Sequence, residues 1–164
     1  MFGRKKKKEE EKPRYYHPVL GEMRVDSEVC AVEPYHVTLF GKQYSGYLYI
    51  NAAAYSKTNA FSAPQEAAID FLKNNPDQVR SCLERQLRSF LGIDHPNVFQ
   101  EKLELETITI SSGGELGVMF NSEFSDEDLA GVDSGCCFTD SFGVVIYPEE
   151  RILYNEQACY VFDS

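Results

Sequence analysis

Apolar residues recur at helical spacing through one long stretch of the chain, from residue 61 to residue 92. They return every three or four positions, which places them along one side of a helix and predicts that this side is buried. Both flanks of this stretch instead show the alternating pattern that is typical of β-strands. The predicted buried residues are Ala67, Ala68, Phe71, Leu72, Val79, Cys82, Leu83, Leu87, Phe90 and Leu91.

Residues that start and stop helices divide this stretch in two. Ser62 can accept a hydrogen bond from a free backbone N–H of the first turn, where Pro64 is tolerated because its missing N–H is not needed. Pro76, after Asn75, cannot continue a helix because its ring clashes with the preceding turn. Gly92 suits the end of the second half. The sequence therefore predicts two consecutive helices, or one bent helix.

Before the helical stretch, alternating residues predict a β-hairpin. In residues 35–40 and 43–51 apolar and polar side chains exchange at nearly every position, and Gly41-Lys42 between them suits a turn. Residues 23–25 and 28–33 are predicted to be shorter strands. The connection between Asn51 and Phe61 is small and polar, and it is predicted to pack against the sheet edge.

After the helical stretch, the pattern of strands returns. A loop is predicted to lead into residues 102–111, which pair with residues 115–121 across Ser112-Gly113-Gly114. The two glycines are expected to supply the positive φ values of a tight hairpin. Four apolar runs within residues 135–162 are predicted to form a meander.

Strands on both sides of one helical block predict an α+β domain. Its sheet is expected to be mainly antiparallel, built from two β-rich halves that flank a central helical hairpin or kinked helix. Residues 15–164 are predicted to form this single domain, and residues 1–14 a disordered charged tail.

The charge of the chain narrows the class of partner. The tail holds seven Lys/Arg and three Glu, net +4, whereas residues 15–164 hold nine Lys/Arg and twenty-three Asp/Glu, net −14. Such an acidic body disfavours nucleic acid and attracts basic proteins, although acidity also serves solubility alone. No segment approaches the roughly 20 consecutive apolar residues of a membrane span. In the tail, the three glutamates occupy the place where an export signal would have its apolar run. A cytoplasmic protein is therefore expected.

The five cysteines, an odd number scattered along the chain, are predicted to be thiols in a reducing compartment. Cys136 and Cys137 are adjacent, so on a strand they point to opposite faces and cannot readily share a metal. No catalytic, cofactor or metal site is predicted, and the chain is expected not to be an enzyme. The alternative is a small cysteine- or metal-dependent hydrolase that uses Cys136 or Cys137 with a histidine.

Two groups of residues are candidates for binding a protein partner. The acidic loop after residue 121 fails the calcium-loop pattern, because Ala130 and Cys137 occupy two ligand positions. Its carboxylates are either a solvated loop or a surface for a basic protein, and the tyrosines of the first hairpin are either packed or exposed anchors. The predicted partner-binding residues are Glu123, Asp126, Glu127, Asp128, Asp133, Tyr47 and Tyr49.

Several segments carry a family resemblance: residues 17–23, 40–52, 107–120 and 142–149, and the helix in which Gln65, Ala68 and Phe71 are spaced three apart. In these segments the chain resembles an uncharacterised bacterial family of small α+β proteins with a domain of unknown function. Some members have been assigned as immunity proteins of polymorphic toxin systems. The resemblance implies an intracellular protein of the immunity type and supplies no catalytic residue. Together with the acidic charge, it predicts a protein-binding module that acts as an immunity-type inhibitor of a basic partner.

Overall fold

The computed structural model describes residues 14–26, 29–91, 96–124 and 141–154. The strands are β1 (Arg14–His17), β2 (Gly21–Asp26), β3 (Val29–Leu39), β4 (Lys42–Asn51), β5 (Leu103–Ile110), β6 (Leu116–Ser122), β7 (Ser141–Tyr147) and β8 (Arg151–Tyr154). The helices are α1 (Ala53–Thr58), α2 (Ala63–Asn74), α3 (Pro76–Leu91) and α4 (Pro96–Lys102).

The eight strands of the described part form one sheet in which spatial order follows chain order. Neighbouring strands are antiparallel except β4 and β5, which are parallel. All four helices lie in the connection between these two strands, as a parallel pair requires a long crossover. The predicted α+β class, with two antiparallel halves around a helical block, is confirmed.

The helices cover one face of the sheet and enclose the main core. Strand residues reach it by alternation, as in β4, where Leu48 and Ile50 are buried while Tyr47 points away. From α3, Val79, Cys82, Leu83 and Leu87 are buried, as predicted. The side chains of Phe90 and Leu91 lie outside the described residues, and so does Gly92. No helix of the described part is long and apolar enough to cross a membrane.

The predicted division of the helical stretch is confirmed. The hydroxyl of Ser62 accepts the N–H of Gln65, and the Gln65 side chain accepts the N–H of Ser62 in return, which forms a capping box. Helix α2 ends at Asn74, and α3 begins at Pro76. Of the two predicted alternatives, the stretch therefore forms two consecutive helices and not one bent helix.

One predicted core residue of α2 is wrong. Ala67 is exposed, because the buried stripe also includes Gln65 and is therefore rotated relative to a purely apolar pattern. Phe71 is half-buried and its ring stacks on Tyr147, with ring centroids 4.9 Å apart. The residues of α2 that are fully buried are Gln65, Ala68, Ile69 and Leu72.

Three short elements were not predicted. Helix α1 replaces the expected polar connection, α4 replaces the expected loop before β5, and β1 precedes the first predicted strand. Both helices have seven residues or fewer, too short to be stable without tertiary packing. Their packing residues, Tyr55 in α1 and Phe99 in α4, are buried in the core.

The two hairpin turns differ from their predicted geometry. In the first turn, Phe40 has a φ of 50° and is buried against Phe99, with ring centroids 4.3 Å apart, although alternation would place it outward. The carboxylate of Glu84 accepts the N–H of Phe40 at 2.9 Å. In the second turn only Gly114 has a positive φ, of 81°, and Gly113 does not.

Candidate partner-binding face

The sheet face that points away from the helices carries the predicted tyrosines. Tyr47 and Tyr49 alternate on β4 with buried residues, so both lie on this face. Tyr47 is 56% exposed and Tyr49 is half-buried, with ring centroids 6.2 Å apart and an interplanar angle of 33°. Strand β4 is the fourth of eight, so the pair lies near the middle of the sheet.

An irregularity in β5 turns a carboxylate towards the face that carries the tyrosines. The register of β5 against β6 shifts between Leu105 and Thr107, and Leu105 and Ile108 both face the core. Glu106 and Thr107 therefore both fall outside the core, because a bulge lets two successive residues face the same way. Thr107 is paired with Tyr47 in the parallel ladder. Glu106 thus directly precedes the residue that neighbours Tyr47.

Glu104 completes the surface. It is exposed on β5, between the buried Leu103 and Leu105, and so lies on the same face as the tyrosines. Within the described ranges neither Glu104 nor Glu106 has an ion-pair partner. We refer to Tyr47, Tyr49, Glu104, Glu106 and Thr107 as the tyrosine face.

Basic residues are nearly lacking from the strands that build this surface. Strands β4, β5 and β6 contain one Lys or Arg, which is Lys42. Its ammonium donates to the carbonyl of Gln100 at 2.7 Å and lies 5.0 Å from the ring centroid of Tyr44, a residue of the core. The carboxylates of the tyrosine face therefore have no cation from these strands.

Only the start of the predicted acidic loop, residues 122–124, belongs to the described part of the chain. Glu123 is exposed, and its N–H donates to the carbonyl of Lys102 at 2.9 Å. It therefore lies at the end of the β5–β6 hairpin where Glu104 is found. Asp126, Glu127, Asp128 and Asp133 lie outside the described residues. Glu104 and Glu106 were not predicted as binding residues, although Glu106 and Thr107 are two successive non-apolar residues that interrupt the alternation of β5.

Comparison with models of known families, with curated proteins and with solved structures finds no match.

A buried histidine at the end of β1 is paired with a partly exposed carboxylate. His17 is 7% exposed, and its Nδ1 accepts the N–H groups of Val19 and Leu20 at 3.1 and 3.2 Å. The proton must then be on Nε2, which donates to the carboxylate of Glu66 at 3.0 and 3.1 Å. Because both ring nitrogens are engaged, His17 has no free lone pair to act as a general base.

Gln65 connects α2 to the two parallel strands. Its Nε2 donates to the carbonyls of Asn51 and Ser111, at 2.7 and 3.1 Å, and its Oε1 accepts the N–H of Ser62 at 3.1 Å. Asn51 ends β4 and Ser111 follows β5, so one amide joins both strand ends. The role of this amide is therefore structural.

The described cysteines are not suited to nucleophilic catalysis. Cys30 and Cys82 are buried, and burial raises the pKa of both thiols to about 12, with Glu150 adding to the rise at Cys82. They are therefore neutral at physiological pH. Cys136 and Cys137 lie outside the described residues. No three His, Cys, Asp or Glu side chains of the described part are grouped to hold a metal.

Proposed function

We propose that this chain is a non-enzymatic, cytoplasmic protein-binding module that contacts a basic protein through its tyrosine face. The observation that carries the proposal is Tyr47, which is more than half exposed near the centre of the sheet with a second tyrosine beside it. An aromatic ring left in water at such a position gains stability when a partner covers it.

Tyrosine is among the residues that contribute most to binding when they lie near the centre of an interface. Its ring provides a large apolar area with few rotatable bonds, and its hydroxyl can form a hydrogen bond at the rim. The neighbouring Thr107 is half-buried and polar, which helps to keep this surface hydrated when no partner is bound. The tyrosine face thus has the features of the centre of a small interface.

Charge supports a basic partner. The exposed carboxylates of Glu104 and Glu106 lie on the same sheet face as the tyrosines, and residues 15–164 carry a formal charge of −14. Such a field accelerates encounter with positive surfaces and disfavours like-charged ones. With the family resemblance, this points to an immunity-type inhibitor whose carboxylates occupy the phosphate-binding surface of a basic, nuclease-type toxin.

Site-specific cross-linking in cells that co-express the neighbouring gene product tests the proposal. A photoreactive phenylalanine analogue replaces Tyr47 in one variant and Tyr16 in the other, since Tyr16 is 77% exposed on the edge strand β1. We expect a cross-linked complex from position 47 only, and relief of the co-expressed protein's toxicity. Cross-linking from position 16 alone, or no complex and no relief, would contradict the proposal.

A further inference from the structure

We propose that the tyrosine face recognises an arginine or lysine side chain of the partner, with the cation over the ring of Tyr47 or Tyr49 and its charge paired with Glu104 or Glu106. This inference rests on the proposed function and specifies the chemistry of the contact. It commits to a basic protein segment as the occupant, because the local and overall charge of the domain are complementary to one.

In the described part of the chain, cations already lie over aromatic rings at three other positions. In each, the charged group lies 5.0 to 5.3 Å from the ring centroid, within the range of a favourable cation–π interaction. Among the described residues, no such cation lies over Tyr47 or Tyr49, the two rings of the exposed pair. The occupied pairs are Lys42 with Tyr44, Lys73 with Tyr35, and Arg88 with Phe40.

The geometry of the two rings suits a planar cation. Tyr47 and Tyr49 lie two residues apart on one strand, with their rings side by side at 6.2 Å and tilted by 33°. A guanidinium group is flat and stacks on aromatic faces, and it also forms paired hydrogen bonds with a carboxylate. Glu106 directly precedes Thr107, the residue paired with Tyr47, and the β5 bulge turns it outward, so its carboxylate is placed to receive those bonds.

An uncharged, apolar partner fits this surface less well. Covering the tyrosines with apolar groups would remove water from Glu104 and Glu106 without supplying a positive charge. Buried carboxylates that lack a partner oppose association strongly. A cation from the partner removes this penalty and contributes the cation–π attraction. The two glutamates therefore disfavour an apolar partner and favour a basic one.

Binding of a fluorescent octa-arginine peptide to the full chain tests the inference, with a Gly-Ser peptide of equal length as the neutral probe. The variants are Tyr47→Phe, Tyr47→Leu and the double substitution Glu104→Gln/Glu106→Gln. A matched double control, Asp70→Asn/Glu101→Gln, removes the same charge from two exposed helix residues. Circular dichroism verifies that each variant is folded.

We expect the arginine peptide to bind and the neutral peptide not to bind. Tyr47→Phe should keep the affinity because the ring remains, whereas Tyr47→Leu should weaken it about fivefold. The Glu104→Gln/Glu106→Gln variant should weaken it more than the Asp70→Asn/Glu101→Gln control. Equal losses in the two charge variants, or no effect of Tyr47→Leu, would overturn the inference.

The outcome is separable from that of the proposed function. The partner could still cross-link at position 47, yet bind the Glu104→Gln/Glu106→Gln variant as tightly as the unmodified chain and fail to compete with octa-arginine. That result would refute cation recognition and leave partner binding by this face intact. If cross-linking at position 47 fails as well, the proposed function is refuted together with the inference.

Discussion

A Cβ atom on Gly114 would lie 2.5 Å from the carbonyl oxygen of Pro64. The turn between β5 and β6 is thereby packed directly on the first turn of α2, and Gly114 also has a φ of 81°. We predict that Gly114→Ala lowers the free energy of unfolding by about 2–4 kcal/mol, from the steric clash and the strained backbone together. Urea denaturation measures the change.

The adjacent glycine provides the control for this prediction. A Cβ atom on Gly113 would have the Ser111 hydroxyl as its nearest neighbour, at 3.9 Å, and its φ is not positive. Gly113→Ala should therefore change the urea midpoint little. Equal losses in the Gly113 and Gly114 variants would show that the contact with Pro64 is not what constrains the turn.

Gln65 is predicted to be essential for joining α2 to the sheet. Gln65→Leu keeps the side-chain size but leaves the carbonyls of Asn51 and Ser111 without their donor. Each unpaired buried group costs about 1–3 kcal/mol, so a loss of about 2–4 kcal/mol is expected in urea denaturation. Gln78→Leu, at an exposed position of α3, should have almost no effect. A loss no larger than that of the Gln78 variant would contradict the assigned role.

Thr109 offers a stabilising substitution. Its hydroxyl oxygen is buried and, in the described part of the chain, has no hydrogen-bond partner. Thr109→Val removes the unpaired group and keeps the branched shape, so we predict a gain of about 1 kcal/mol in the free energy of unfolding. Thr107→Val, on the same face and strand, is the comparison and should gain less. Calorimetric melting distinguishes the two variants.

Alkaline pH should destabilise the fold. Burial raises the pKa of Cys30 from 9.0 to about 12, and it also raises the pKa of Tyr35 and Tyr44. The folded state therefore holds these protons more tightly than the unfolded state, and the stabilisation present below pH 9.0 is lost as the pH rises towards 12. Urea midpoints across this range should fall, and more gently in Cys30→Ala. A fall of equal steepness in that variant would refute the contribution of Cys30.

The parts of the fold that sequence predicted are those governed by local rules. Ser62 and Pro76 bounded the helices because caps and prolines act within one turn, and the strands of both flanks followed from alternation. Helices α1 and α4 were missed because tertiary packing of Tyr55 and Phe99, rather than local preference, holds them. The parallel pairing of β4 and β5 depends on long-range contacts that no local pattern encodes.

The candidate site was predicted in part. Alternation alone placed Tyr47 and Tyr49 on the face opposite Leu48 and Ile50, but it did not decide whether that face is covered. Glu104 and Glu106 come from the second half of the chain and share this sheet face with the tyrosines only through the β4–β5 pairing and a bulge. Such proximity is a property of the folded sheet.

The affinity of the purified neighbouring gene product for two tyrosine variants tests the central claim most directly. Tyr47→Ala should raise the dissociation constant about thirtyfold, as expected for a residue at the centre of an interface. Tyr16→Ala removes a more exposed ring from the edge strand β1 and should leave the constant unchanged. An unchanged dissociation constant for Tyr47→Ala, or an equal loss for Tyr16→Ala, would contradict binding through the tyrosine face.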